Sequence, residues 1–101
     1  MYIHGKGVAR DREKARKMLL QTAAENDPHA FLSLGELYRD GLGVKASFVT
    51  SYMWYTLALE AGEQSASEKL SWLGAKLSRS NIEQARVMAT QCAKAGYKNC
   101  I

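Results

Sequence analysis

Tyr38-Arg39-Asp40-Gly41-Leu42-Gly43-Val44 repeats an earlier stretch of the same chain, Tyr2-Ile3-His4-Gly5-Lys6-Gly7-Val8, at an offset of 36 residues. The tyrosine, both glycines and the valine align without a gap. A fixed period of about 20 to 50 residues is typical of repeat proteins, in which each unit is one supersecondary element that stacks on the next. The duplication therefore predicts a repeat fold, and such folds usually act by presenting a binding surface.

Helix boundaries recur at the same offset. Asp11 aligns with Ser47, and both are residue types that cap a helix N-terminus by accepting a bond from a free backbone N–H. Asn26 aligns with Gly62, and these residues most easily adopt the left-handed conformation that ends a helix. The alignment predicts that helix follows helix throughout the chain.

The complete unit is predicted to be a helix over residues 28–39, a glycine-rich loop and a second helix over residues 47–61. Asp27-Pro28 is typical of an N-cap followed by the first helical residue. The second helix is apolar on nearly every side, which indicates a helix packed between two neighbours.

The third unit departs from the pattern. We expect a helix over residues 66–77 and a last helix over residues 81–95, with Ser80 and Glu83 forming a capping box at its start. Terminal repeats are atypical because one face must meet water. The predicted organisation has three parts: a partial repeat at 1–26, a full repeat at 27–62 and an atypical C-terminal capping repeat at 63–101. We expect these parts to be a fragment of a longer array.

Composition limits the function classes. The chain is 47% hydrophobic but has no apolar run long enough to span a membrane. The formal net charge is +4, with the basic excess divided between the two halves and acidic residues interleaved. Mixed signs are typical of a solvated helix face, so we expect no nucleic-acid patch, although weak nucleic-acid binding stays an alternative.

The residues resemble the Sel1-like repeat family, relatives of the tetratricopeptide repeats. The resemblance rests on two spaced phrases, Leu34-Gly35-x-x-Tyr38-x-x-Gly41-x-Gly43-Val44 and Trp54-Tyr55-x-x-Ala58-x-Glu60-x-Gly62. The C-terminal segment is similar to the ending of bacterial members. The resemblance implies an all-α fold, an α/α superhelix of about two and a half repeats, that acts as a non-catalytic adaptor scaffold.

Cys92 and Cys100 are the only cysteines. A helix that ends at Gly96 and folds back would bring their Cα atoms into the range of about 4.4–6.8 Å that a disulfide needs, and two free thiols are the alternative. A cysteine-rich branch of the resembled family pairs cysteines at this spacing, which implies a disulfide here. A disulfide would favour a periplasmic or secreted protein, and free thiols a cytoplasmic one. A redox or other catalytic role at this pair is a second functional hypothesis.

The leading hypothesis is a protein or peptide partner bound in a concave helical groove. Trp72 lies off the predicted buried face of its helix, and tryptophan is enriched at binding hot spots; the alternative is that the last helix covers it. The first helices of such pairs usually line the concave surface. The candidate partner-binding residues are Phe31, Glu36, Arg39, Lys69, Trp72 and Lys76.

No cofactor, metal or catalytic motif is predicted. His4 and His29 are far from the cysteines in sequence, which disfavours a zinc site. We also expect an apolar edge at the first repeat that promotes self-association. Its members are Tyr2, Ile3, Val8, Met18 and Leu19.

Overall fold

Five α-helices build the computed structural model, which describes residues 6–42, 44–97 and 100. No strand occurs in these described ranges, so the predicted all-α repeat fold is confirmed. The helices in chain order are α1 (Lys6–Ala23), α2 (Pro28–Asp40), α3 (Phe48–Glu60), α4 (Ala66–Gly74) and α5 (Arg79–Lys94).

Both ends of α2 follow the sequence prediction closely. A carboxylate oxygen of Asp27 accepts the backbone N–H groups of His29 at 2.8 Å and Ala30 at 3.4 Å, which satisfies donors that the helix itself cannot pair. The helix ends at Gly41, whose φ of 70° is left-handed, as the glycine-rich loop requires. Gly43, the second glycine of that loop, lies outside the described residues.

The centre of the fold is α3. It begins after Ser47, whose hydroxyl accepts the backbone N–H of Thr50 at 3.2 Å. It packs against α2, α4 and α5, while α1 packs on α2. Trp54 and Tyr55 are fully buried, so the prediction of a helix enclosed by neighbours is confirmed.

Contact between α2 and α3 depends on Gly35. A Cβ at this position would lie 2.5 Å from Cε1 of the Tyr55 ring, closer than real Cβ atoms approach other atoms. The buried hydroxyl of Ser51 donates to the Gly35 carbonyl at 2.6 Å. The missing side chain therefore lets the Tyr55 ring lie against the backbone of α2, and the hydrogen bond links the two helices directly.

The predicted bounds of the third unit need correction. The α4 helix ends at Gly74 rather than residue 77, and the N-cap of α5 is Ser78 rather than Ser80. Ser78 has an extended backbone and its hydroxyl accepts the Asn81 N–H at 3.1 Å, whereas Ser80 lies inside the helix. An N-cap must be non-helical, so the Ser80-x-x-Glu83 capping box does not form.

The predicted N-cap at Asp11 is also wrong, because α1 runs through it from Lys6 to Ala23. Residues 9–17 consist largely of alanine, arginine, lysine and glutamate, which are strong helix formers that extend the helix backwards. The expected helix ends are found where predicted, with positive φ at Asn26 (60°), Gly62 (106°) and Gly96 (72°).

A candidate groove between α2 and α4

Side-chain pairs connect α2 to the α4 region along their length. His29 Nδ1 lies 3.9 Å from Glu63 Oε2 near the start of both helices, and Lys69 Nζ lies 3.4 Å from Glu36 Oε2 further along. The pairs advance in the same direction on both segments, so α2 and α4 lie side by side and parallel. In the predicted repeat scheme they are the first helices of neighbouring units.

A groove of about 350 Å³ lies between these two helices. Arg39 and Asp40 line it from α2, and Glu68, Lys69 and Trp72 line it from α4. Three of the six predicted binding residues are therefore brought together there. Glu36 joins them through its ion pair with Lys69.

Trp72 is 50% exposed, so the alternative that the last helix covers it is wrong. The ring of Phe48 meets the Trp72 ring edge-on, with centroids 5.8 Å apart at 68°. Lys76 Nζ lies 4.5 Å from the ring centroid, a cation–π geometry. These contacts hold the indole in one orientation while half of its surface faces solvent.

Arg39 and Asp40 form a two-pronged ion pair at the groove wall. Nε donates to Oδ1 at 2.9 Å and Nη2 donates to Oδ2 at 3.0 Å. The hydrogen bond from Arg39 lowers the pKa of Asp40, and the same bond raises the pKa of Arg39. Both groups are therefore charged at neutral pH, and each offsets the charge of the other.

Comparison with known proteins decides the family. The family model described as the Sel1 repeat matches residues 1–27 and 29–63, more than half of the chain. The chain belongs to the Sel1 repeat family. No curated protein and no solved structure matches it. Sel1 repeats generally mediate protein–protein interactions and are typically non-catalytic.

The Sel1 matches include α2 and α3 but stop before α4. The α2 wall of the groove therefore belongs to a matched repeat, and the wall that carries Trp72 belongs to the segment after it. Sequence reasoning missed Asp40 and Glu68 as lining residues. Glu68 precedes Trp72 by one helical turn, and that spacing was the available signal.

Phe31 does not belong to the groove, which corrects the predicted binding set. It is fully buried, 6.0 Å from the Trp54 ring and 5.1 Å from the Tyr97 ring between centroids. Tyr97 comes from the turn after α5, so the C-terminal turn covers the surface where a partner was expected. In this Sel1 chain Phe31 is a core residue.

The cysteines lie where a disulfide is possible. Their Cα atoms are 4.9 Å apart, within the disulfide range, and Cys92 is 2% exposed. The Tyr97 N–H donates to the Cys92 carbonyl at 2.8 Å, so the chain turns back directly after α5. Gly96, in its left-handed conformation, makes this turn.

Outside the groove, the predicted self-association edge is only partly described. Met18 is 66% exposed, and Leu19 packs against the core. Tyr2, Ile3 and His4 lie outside the described residues, and so does the side chain of Val8.

In the described part of the chain, no three His, Cys, Asp or Glu side chains lie close enough together to hold a metal ion. His29 is exposed, and its Nδ1 lies 3.9 Å from Glu63 Oε2. None of the described helices is both long and apolar enough to cross a membrane.

Proposed function

We propose that this Sel1 repeat chain is a non-catalytic protein-interaction module whose α2–α4 groove binds a peptide segment of a partner, with Trp72 as the anchor. The observation that carries the proposal is the half-exposed, oriented indole of Trp72 at the groove. Its contacts with Phe48 and Lys76 already order the side chain, so little conformational entropy remains to be lost when a partner binds.

The magnitudes single out Trp72 among the groove residues. A tryptophan buries about 150–250 Å² in all, so covering the exposed half removes about 100 Å² from water. At about 25 cal/mol per Å² this contributes about 2.5 kcal/mol. Exposed ion pairs at the rim contribute about 0.2–1 kcal/mol each. Trp72 is therefore the expected hot spot, and the charges around it govern selectivity more than affinity.

No observation favours the other two hypotheses. A redox-active cysteine needs an accessible thiolate, but Cys92 is only 2% exposed. We therefore propose that Cys92 forms a structural disulfide with Cys100. Nucleic-acid binding needs uncompensated positive charge. In the groove Arg39 is paired with Asp40, Lys69 is paired with Glu36, and Glu68 adds a negative charge, so a phosphate backbone would meet both signs of charge there.

The proposal is tested with peptides selected on the whole chain from a random displayed library. Dissociation constants of the selected peptides are then compared for the parent, Trp72→Ala and Val87→Ala. Val87 is a matched control, because it is an exposed apolar residue (56%) on α5 outside the groove. Each substitution removes exposed apolar surface, but only one of them changes the groove.

We expect Trp72→Ala to weaken binding by roughly 10- to 50-fold, as for a hot-spot residue, while Val87→Ala leaves affinity within about twofold. Equal affinities for the parent and Trp72→Ala would contradict the proposal. Far-UV circular dichroism of each variant checks that the helices are intact.

A further inference from the structure

Glu68, Trp72 and Lys76 form a single row along α4 and the turn that follows it. Glu68 and Trp72 are four residues apart on one face of α4, with a rise of about 6 Å between them, and Lys76 follows two residues after the end of the helix. Glu68 and Trp72 line the groove, and the Lys76 ammonium lies over the Trp72 ring. The anchor is therefore flanked by an acid on one side and a base on the other.

The two flanking charges differ from the other groove charges. Arg39 is held by Asp40, and Lys69 is held by Glu36, so each of these pairs is close to neutral. Among the described side chains Glu68 forms no ion pair, and Lys76 contacts an aromatic ring rather than a carboxylate. With respect to those side chains, an incoming peptide therefore meets one uncompensated negative charge and one uncompensated positive charge.

We propose that this row selects an extended peptide with a basic, an apolar and an acidic side chain at alternate positions; this inference rests on the proposed function of the groove. Alternate residues of an extended chain are about 6.6 Å apart on one face, close to the rise between Glu68 and Trp72. The Lys76 ammonium lies 4.5 Å from the Trp72 ring centroid, so the third side chain meets it beside the ring. The apolar side chain lies on Trp72, the basic one next to Glu68 and the acidic one next to Lys76.

The groove of about 350 Å³ takes a few side chains, which matches the three alternate side chains of a short extended segment. A peptide of about five residues is too short to form a stable helix in water, so it meets the groove as an extended chain. The proposed contacts involve only side chains of the peptide. A peptide can therefore place its basic residue next to Glu68 and its acidic residue next to Lys76 in either chain direction.

The test uses three synthetic peptides with Gly-Ser flanks, Lys-Ser-Leu-Ser-Glu, Lys-Ser-Leu-Ser-Lys and Glu-Ser-Leu-Ser-Glu. Each is titrated into the parent, Glu68→Lys and Lys76→Glu at about 0.05 M salt, where charges are weakly screened. Dissociation constants come from backbone amide chemical shifts, which report weak binding. The three peptides differ in which charges they carry, not in the order of those charges. The comparison therefore holds whichever way round a peptide lies in the groove.

We expect the parent to prefer the mixed peptide, Glu68→Lys the doubly acidic peptide and Lys76→Glu the doubly basic peptide. Each preference is expected to be roughly three- to tenfold and to shrink at about 1 M salt, where the Debye length is about 3 Å. Glu83→Lys is the matched control, since it makes the same charge change at an exposed position on α5. It is expected to keep the parent's preference.

The same order of affinities in the parent, Glu68→Lys and Lys76→Glu would overturn the inference, and so would a shift of preference in Glu83→Lys. The absence of saturable binding by any of the three peptides would overturn it as well. If all three peptides bind alike and Trp72→Ala abolishes their binding, the groove binds peptides without reading charge. The proposed function then stands while this inference fails.

Discussion

The phenol ring of Tyr97 lies 5.1 Å from the phenyl ring of Phe31, between centroids, at an angle of 47°. This contact joins the turn after α5 to α2, so the C-terminal end of the chain closes over the core of the full repeat. Phe31 also stacks on Trp54, and the three rings connect the C-terminal turn to the central helix. Aromatic packing therefore fixes the turn after α5 to α2 and α3.

Replacing Tyr97 by alanine is expected to lower the free energy of unfolding by about 1–3 kcal/mol. The substitution removes an aromatic pair contributing about 0.5–1.5 kcal/mol beyond area burial, together with the apolar area it covers. Tyr97→Phe is the control, because it keeps the ring and the backbone conformation. Urea denaturation compares the two, and a Tyr97→Ala midpoint equal to that of the parent would show that the contact contributes nothing.

The proposed Cys92–Cys100 disulfide is expected to stabilise the chain by about 2.5 kcal/mol, from the chain-entropy estimate for a loop of this length. Cys100→Ser tests this without placing a new polar group at buried Cys92. Alkylation in denaturant followed by mass spectrometry should label no cysteine until reductant is added. Labelling of both thiols in the denatured, unreduced protein would show that the pair is not bonded.

Gly35→Ala and Gly74→Ala are a matched pair of helix substitutions with opposite expected signs. At Gly35 the new methyl group meets the buried Tyr55 ring at 2.5 Å, and the overpacking is expected to cost about 1–3 kcal/mol. At Gly74 the nearest atoms are 3.9 Å away, so the gain in helix propensity is expected to stabilise by about 0.5–1 kcal/mol. Thermal midpoints that shift equally for both variants would contradict the close contact at Gly35.

Stability is expected to fall above pH 10 because of Tyr55. Burial raises the pKa of Tyr55 to about 12. Between about pH 10 and 12 the unfolded chain releases the phenol proton while the folded chain keeps it, so the free energy of unfolding falls as pH rises, by up to about 2–3 kcal/mol.

Tyr55→Phe isolates this effect from the other tyrosines, because it lacks the titrating hydroxyl and keeps the ring. The difference in unfolding free energy between the parent and Tyr55→Phe is expected to be constant below pH 10 and to change steadily above it. A constant difference up to pH 12 would contradict the burial effect on Tyr55.

The parts of the fold that depend on local chemistry were predictable from the sequence. The predicted helix starts after Asp27 and Ser47 and the predicted helix end before Gly41 are found in the structure. Capping and left-handed turns depend only on residues within one turn, so the local sequence contains the signal. The start of α5 was not predictable in the same way. Ser78 and Ser80 are both suitable caps, and only the length of α4 decides between them.

The lining of the groove could be predicted only in part, because it depends on contacts between residues that are far apart in the sequence. Periodicity placed Trp72 off the buried face of its helix, but its exposure depends on the position of α5. Phe31 was predicted to face the groove from α2, but it is buried because Tyr97 packs on it from the turn after α5. Non-local packing of this kind has no signal in the spacing of residues along one helix.

The most direct measurement of groove binding follows the two indole N–H signals in a proton–nitrogen NMR titration with a library-selected peptide. Trp72 is half exposed at the groove, whereas Trp54 is fully buried, so the two signals report the groove and the core separately. We expect the Trp72 signal to shift in a saturable way while the Trp54 signal stays in place. Saturable binding that leaves the Trp72 signal unmoved would show that the partner surface lies elsewhere on the chain.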